Sequence, residues 1–468
     1  MLLPLVIALG VMLSGLFVFS LIMGKRHQSL DDWNVGGRSL PIYVQIGTQF
    51  ATVMGGAVIV GLVGTAYTYG WASLTYGILT AIGLIPFIFM AKWLRNSEFE
   101  SLPDALSAIF GKNKIFMILV IIATLIVPFG WMITQLVGFG KIFSEITGFE
   151  QSTVVIIFAL ISLAFVLPAG MTTVAWTDFI FGCFMIVGAI IAVIVALQMG
   201  GSWSEIVTNS EPQYTKMPNG LFGIGGTMIL FWIFGVMPGN LTNQQIFQRI
   251  YAADNAKNAR ISIIATAILF AFATAWSSVM GITIRHLNPG MSNPENATGW
   301  FLTQTPVWFT VIFSTFIVAT IMSTLSSAIQ SVVVTLTKDI YVSYIHPETT
   351  RSQQVFVSRL IAVIVLIIAV SLSILVPQAL GWIVASFAYS VSALIVPIIF
   401  GFIFKGTRWI NTYGGISSIV GGIVGSGIAH SIGTSLPYVF YGICLSIICL
   451  FTISYLTKKK VEVVQNEI

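Results

Sequence analysis

Charge is what this chain has least of: Asp, Glu, Lys and Arg together make up 8% of its 468 residues, against roughly 25% in soluble proteins. That scarcity excludes a water-soluble domain of useful size. Cysteine is scarce as well. Cys183, Cys444 and Cys449 each lie inside an apolar run and share no metal-ligand spacing, so inert, packed thiols are expected. The four histidines, His27, His286, His346 and His430, are dispersed, which removes a metal-dependent membrane enzyme. The first apolar run, Leu2 to Met23, lacks a basic leader and a small-residue cleavage pattern. It reads as a retained helix rather than a signal peptide. The net charge of +5 comes from basic residues scattered through short loops, not gathered on one face, so no nucleic-acid partner is expected.

What is present is hydrocarbon: hydrophobic residues make up 56% of the chain. A helix needs about 20 apolar residues to cross ~30 Å of bilayer, and about thirteen runs meet that need. Hydropathy, punctuated by Gly, Pro and charge, places spans at 3–23, 42–69, 71–93, 115–145, 152–168, 173–198, 221–248, 259–284, 303–337, 353–375, 378–404, 411–430 and 434–456. The whole of 1–468 is thus one all-α, multi-pass membrane domain whose environment is the lipid bilayer. With the N-terminus outside, alternate loops hold all of the 21 Lys and Arg residues except Lys141, Lys216 and Arg285. The positive-inside rule then puts the C-terminus in the cytoplasm. The amphipathic piece Ser97 to Gly111 is expected to lie on the cytoplasmic surface as a linker helix.

A functional site inside a bilayer needs a break in a helix, tolerated only where it lines a cavity. The second span has one at Ala51-Thr52-Val53-Met54-Gly55-Gly56, and the seventh at Gly223-Ile224-Gly225-Gly226 and Gly235-Val236-Met237-Pro238-Gly239. Paired breaks at matching positions of two halves point to an inverted repeat with a midplane site. Spans 42–198 form one five-helix unit and 221–404 the other, leaving 3–23 and 411–456 as additions. Membrane glycines also serve close helix packing.

The ninth span carries Thr320, Ser323, Thr324 and Ser327 on one helix face, with Ser326 beside it. Uncharged oxygen ligands suit Na⁺; the alternative is that such hydroxyls bond back to their own helix. Asp178, in Trp176-Thr177-Asp178, is the one acid placed to reach toward the midplane. It can ligate a cation or pair with an arginine at the membrane surface. Gln248-Arg249 and Lys338-Asp339 read as interfacial. For an organic solute, the side chains near the breaks are Gln49, Phe50, Val53, Trp131, Gln135, Phe231, Trp232 and Gln245. Trp131 and Gln135, four residues apart, share a face.

These motifs, in this order, resemble the sodium:solute symporter family over nearly the whole chain. The resemblance rests on Gly36-Gly37-Arg38-Ser39-Leu40, Gly61-x-x-Gly64, Leu102-Pro103-Asp104 and Trp176-Thr177-Asp178. It continues through Gln248-Arg249 and Met322-Ser323-Thr324-Leu325-Ser326-Ser327 to Lys338-Asp339-Ile340-Tyr341. It implies a LeuT-type inverted-repeat fold and Na⁺-coupled import of a small solute across a bacterial-type plasma membrane. By the same resemblance, carbonyls of Ala51, Met54 and Thr320 and hydroxyls of Ser323 and Thr324 hold the principal Na⁺. Asp178, Ser323, Ser326 and Ser327 stand where some members hold a second. Proline-type members carry Asp where Val53 stands and choline-type members Trp, so neither substrate is supported there.

Three rivals remain at this point. A cation channel lacks a repeated filter loop here. A sensor would need a separate signalling chain, since the tail after Thr457 is too short for a signalling domain. Proton coupling needs a titratable carrier, whereas the site reads as hydroxyls and carbonyls. A neutral or zwitterionic solute fits the scarcity of intramembrane charge, and no obligatory protein partner is implied.

Overall fold

The computed structural model describes residues 2–26, 35–166 and 171–458. Ten of its helices are long and apolar enough to cross a membrane, eleven when the bent pair Ile42–Thr52 and Ala57–Tyr69 counts as one span. Two more expected spans, 152–168 and 221–248, are present as shorter apolar helices, Gln151–Ala164 and Gly226–Thr242. Among the described residues, the one β-bridge is the isolated pairing of Leu40 with Ala253.

The solvent inversion expected in lipid is plain in the burial pattern. Large apolar side chains such as Phe89, Phe272, Leu375 and Leu456 face outward, while Gln45, Thr48, Gln49, Asp178, Arg249 and Ser323 are buried. Each long helix satisfies its own backbone, so the sequence is free to place apolar atoms outside and hydrogen-bonding side chains within. Polar residues still mark the helix ends: Asn113, Asn255 and Asn411 cap the helices Lys114–Thr147, Ala256–Leu287 and Thr412–Ile432. Thr350 and Gln353 form a capping box at Arg351–Leu375.

The two broken elements are the exception to this regularity, and they position the site. The helix Ile42–Val53 ends where Met54 turns extended (φ −85°, ψ 119°), and the chain resumes as a π-helical stretch Ala57–Leu62 before Val63–Tyr69. The bend is 53°. The second broken element runs Gly226–Phe231, a π-helical turn Trp232–Val236, a 3-10 turn Gly239–Thr242, then the helix Gln244–Ala252. The continuous span expected over 221–248 is therefore divided around Pro238, which has no amide hydrogen to donate, and the Met237 amide just before it donates to Trp232 O at 2.7 Å in a π-type bond. Close approach tightens this region: a Cβ on Gly83 would stand 1.6 Å from the Met237 carbonyl oxygen.

Two expectations about surfaces need correction. The helix Leu102–Phe110 is no loose linker: Leu102, Pro103, Ala105, Leu106 and Phe110 are buried, Ser101 caps it, and the Leu102 amide donates to Gln244 Oε1 at 2.7 Å. Arg249 and Gln248 are fully buried rather than interfacial, and Asp339 accepts from Ser101 Oγ in a buried setting. Lys338 does lie at the edge, paired with Glu100 at 3.0 Å. Cys183, expected to be packed away, is exposed on an outward face, and Cys444 and Cys449 are half-buried.

Candidate sodium and solute site

The break at Met54 leaves carbonyl groups without helical partners. The Val58 amide donates to Gly55 O rather than to Met54 O, so Met54 O is free to face the Val307–Val334 helix. There it meets Thr324. The Thr324 hydroxyl lies 2.7 Å from Met54 O, 2.9 Å from Ala51 O and 3.2 Å from Thr320 O. A hydroxyl has one proton to donate, and three carbonyl oxygens crowd around it. The unshared lone pairs make a pocket of negative potential, at a buried place where a small cation is the natural complement. Ala51, Met54, Thr320, Ser323 and Thr324 are all buried.

Glycine is required at this point for space. A Cβ on Gly55 would stand 2.7 Å from Gln135 Oε1 and 2.9 Å from Thr324 Oγ1. Gln135 also steadies the break, since its Oε1 accepts from the Gly56 amide at 2.7 Å. Its expected place near the break holds, although that oxygen is engaged by the backbone.

Asp178 heads a second cluster one turn away. Its Oδ2 accepts from Thr48 at 2.7 Å and Ser327 at 3.2 Å, and Ser323 donates to Oδ1. Its ion-pair partner is Arg249, 3.2 Å away, with both side chains wholly buried. Arg249 also donates to Ser327 Oγ at 2.7 Å and to Gln245 O at 3.0 Å. Asp178 thus pairs with an arginine, as one of the two readings had it, but in the interior and not at the membrane surface. Ser326 stays outside this cluster and donates to Met322 O of its own helix.

The expected solute-facing residues divide. Gln49 is engaged by the Ala256–Leu287 helix, donating to Ser262 Oγ and accepting from Thr266 Oγ1, each at 3.0 Å. Trp131 packs edge-on against Phe387 and Trp232 against Tyr76, with ring centroids 6.3 Å and 5.4 Å apart. The buried Trp131 Nε1 has no partner. Phe50 lines an apolar cleft beside the break. Val53 closes its helix, and its side chain lies outside what the structure describes.

Two groups were seen only in part in the sequence, Gln49 and Gln245 being named without their neighbours. Gln45, Thr48, Gln49 and Thr52 form a polar face on the first broken helix, and all four are buried. Their spacing of three and four residues was the available signal. The other group follows the second break: Asn240, Asn243, Gln244, Gln245 and Gln248 are buried and each has side-chain atoms without a partner. The dense run of amides was visible, but hydropathy alone assigns such a run to a membrane edge.

With this geometry in hand, comparison with known proteins is decisive. The description of the sodium:solute symporter family matches residues 33–425. The chain belongs to the sodium:solute symporter family. It is accordingly a Na⁺-coupled solute symporter of the plasma membrane and not an enzyme. Among relatives of the symporter, the sodium/glucose cotransporter of Vibrio parahaemolyticus is 25% identical over 456 residues, covering 88% of this chain and 81% of the relative. The sodium/proline symporter of Escherichia coli (strain K12) is 24% identical over 390 residues, covering 79% and 77%. The structure of a Na⁺-coupled sialic acid symporter superposes with a TM-score of 0.82 at 20% identity, covering 97% of each chain. Mhp1, a nucleobase-cation-symport-1 family transporter, gives 0.57 at 16% identity over 92% of this chain and 96% of its own. The symporter therefore has the LeuT-like fold. Family membership also sets aside the channel alternative.

Proposed function

We propose that one Na⁺ binds among the carbonyl oxygens of Ala51, Met54 and Thr320 and the hydroxyls of Ser323 and Thr324, and that its inward movement drives uptake of a neutral or zwitterionic solute. The observation that carries this reading is the single Thr324 proton set among three carbonyl oxygens. A cation supplies what the hydroxyl alone lacks, because it attracts every unshared lone pair at once. The site joins the first broken helix to the Val307–Val334 helix, so an occupied site ties the break to a neighbour and an empty one releases it.

The 42–198 and 221–404 units as inverted repeats, within thirteen spans and with the N-terminus outside, complete the proposal. Its support is the paired π-helical turns beside the two breaks and the grouping of charge by end. Arg285 and Tyr214 bond at 2.9 Å on one side, and Lys338 meets Glu100 and Asp104 on the other. Inward Na⁺ movement then gains ~2.3 kcal/mol per charge per 100 mV of membrane potential. Rocking of one helix group against the rest exposes the midplane alternately to each side.

A second Na⁺ at Asp178, Ser323, Ser326 and Ser327 is less favoured in this arrangement. The Arg249 guanidinium already neutralises the carboxylate, and a cation beside it meets like charge. The solute class rests on the same pairing: Asp178 and Arg249 serve each other, while the wall formed by Trp131, Phe387, Tyr76 and Trp232 offers rings and one free indole N–H. Purified symporter in proteoliposomes, given a panel of neutral, zwitterionic and charged solutes, tests the proposal. Uptake of a neutral or zwitterionic solute under a Na⁺ gradient, with a Na⁺-to-solute ratio of one from reversal potentials, supports it. A ratio of two, or uptake confined to anionic solutes, overturns the corresponding part.

A further inference from the structure

Beside the break, lined by Phe50 and Met54 but not by Thr324, lies a cleft of about 460 Å³ between the helices Met171–Met199 and Ala256–Leu287. Its floor includes Phe50, Met54, Met185 and Trp276, all buried, and its mouth is framed by Ile190, Ile194 and Phe272, all exposed. The polar atom of Trp276 is already satisfied, since Nε1 donates to Ala189 O at 2.9 Å. No side chain lining this cleft carries charge. Water gains nothing there, and an empty space of this size forfeits the dispersion contacts of its whole lining.

Depth decides what fills it. Phe272 sits at the middle of the Ala256–Leu287 helix, and Ile186, beside the mouth, at the middle of Met171–Met199. At ~1.5 Å per residue each stands ~20 Å or more from its helix ends, so the mouth opens within the ~30 Å hydrocarbon layer. The matter in reach at that depth is the acyl chain of a membrane lipid. We propose that the cleft is a lipid site in which an acyl chain inserts between the two helices and reaches Phe50 and Met54. The chain thereby contacts Met54, the residue whose carbonyl accepts from Thr324. Bilayer lipid is then a component of the wall that shapes the break.

The test uses the full-length symporter in phosphatidylcholine vesicles containing a phosphatidylcholine with a photoactivatable diazirine at mid-chain, with adducts mapped by mass spectrometry. The expected result is labelling of floor residues, Met54 and Met185 in particular, as well as of the mouth. Ala273 lines the cleft, and Ala273→Phe should abolish most floor adducts while those at Phe272 and Ile190 persist. Wild-type adducts confined to the mouth would overturn the proposal, and that result needs no variant to fold. Equal labelling of the floor by a water-soluble diazirine would overturn it too, by making the cleft aqueous. Both readouts are independent of the Na⁺ assignment.

Discussion

Replacing Thr324 with alanine removes the one side chain that touches all three carbonyl oxygens of the proposed ion site. The hydroxyl lies 2.7–3.2 Å from Met54, Ala51 and Thr320, so its loss deletes a Na⁺ ligand and leaves the broken helix without its hydrogen bond to the Val307–Val334 helix. A hydrogen bond or dipole contact to a charged group contributes about 1.5–3 kcal/mol. At 1.4 kcal/mol per tenfold, the Na⁺ midpoint should rise on the order of ten- to hundredfold. The assay needs no knowledge of the solute: Na⁺ raises the melting temperature of a protein that binds it in the folded state, with K⁺ as the ionic control. Thr324→Ser, which keeps the oxygen, should titrate near wild type, whereas Thr324→Ala should require far more Na⁺ for the same stabilisation. Superimposable titrations of wild type and Thr324→Ala would refute the reasoning, since no reorganisation of the carbonyls alone replaces that ligand.

Three further predictions follow from the same neighbourhood. Asp178→Asn leaves the Arg249 charge buried without a counterion, which costs about 3–5 kcal/mol; thermal unfolding should show a large loss, partly restored in Asp178→Asn with Arg249→Gln, and an unchanged melting temperature in the single variant would contradict the pair's role. Gly55→Ala, whose Cβ meets Gln135 and Thr324, should weaken Na⁺ stabilisation, while Gly10→Ala, with nothing within 4 Å, serves as a neutral control; equal behaviour of the two would oppose the crowding argument. Trp131→Phe keeps the ring and removes the unpartnered N–H, so uptake should show a half-saturating solute concentration raised severalfold, up to about tenfold for a neutral hydrogen bond, with the Na⁺ midpoint unchanged; a shift in Na⁺ alone would place Trp131 with the ion.

Much of this architecture was legible in the sequence because a bilayer leaves few choices. A helix such as Ala379–Phe404 is bounded by where apolar residues stop, and the expected span at 378–404 differs by one residue. The breaks were legible too, since adjacent glycines at 55 and 56 and the Gly-Val-Met-Pro-Gly run weaken a helix, although the glycine pairs 414–415 and 421–422 sit within the unbroken helix Thr412–Ile432. Thr324 stood out as a candidate because hydroxyls at helical spacing are conspicuous among Val, Ile and Phe.

Partnership between distant segments was not legible. Arg249 reads as a surface charge when hydropathy is the only guide, yet it stands beside Asp178, 71 positions earlier, in full burial. Thr48 gave no sign of donating to the same carboxylate, because the pairing depends on how the first broken helix is tilted against Met171–Met199. The tight packing of the Leu102–Phe110 helix was hidden for a similar reason: its amphipathic pattern fits a membrane surface and a protein groove equally, and the groove exists only once Gln244 and Asp339 are in place.

The most direct test of the central claim is a high-resolution cryo-electron microscopy comparison of the symporter prepared in Na⁺ and in K⁺. The account predicts density for an ion enclosed by the oxygens of Ala51, Met54, Thr320, Ser323 and Thr324 in Na⁺ and its absence in K⁺. No ion among those oxygens in saturating Na⁺, or an ion seated instead against Asp178 with Arg249 displaced, would contradict it.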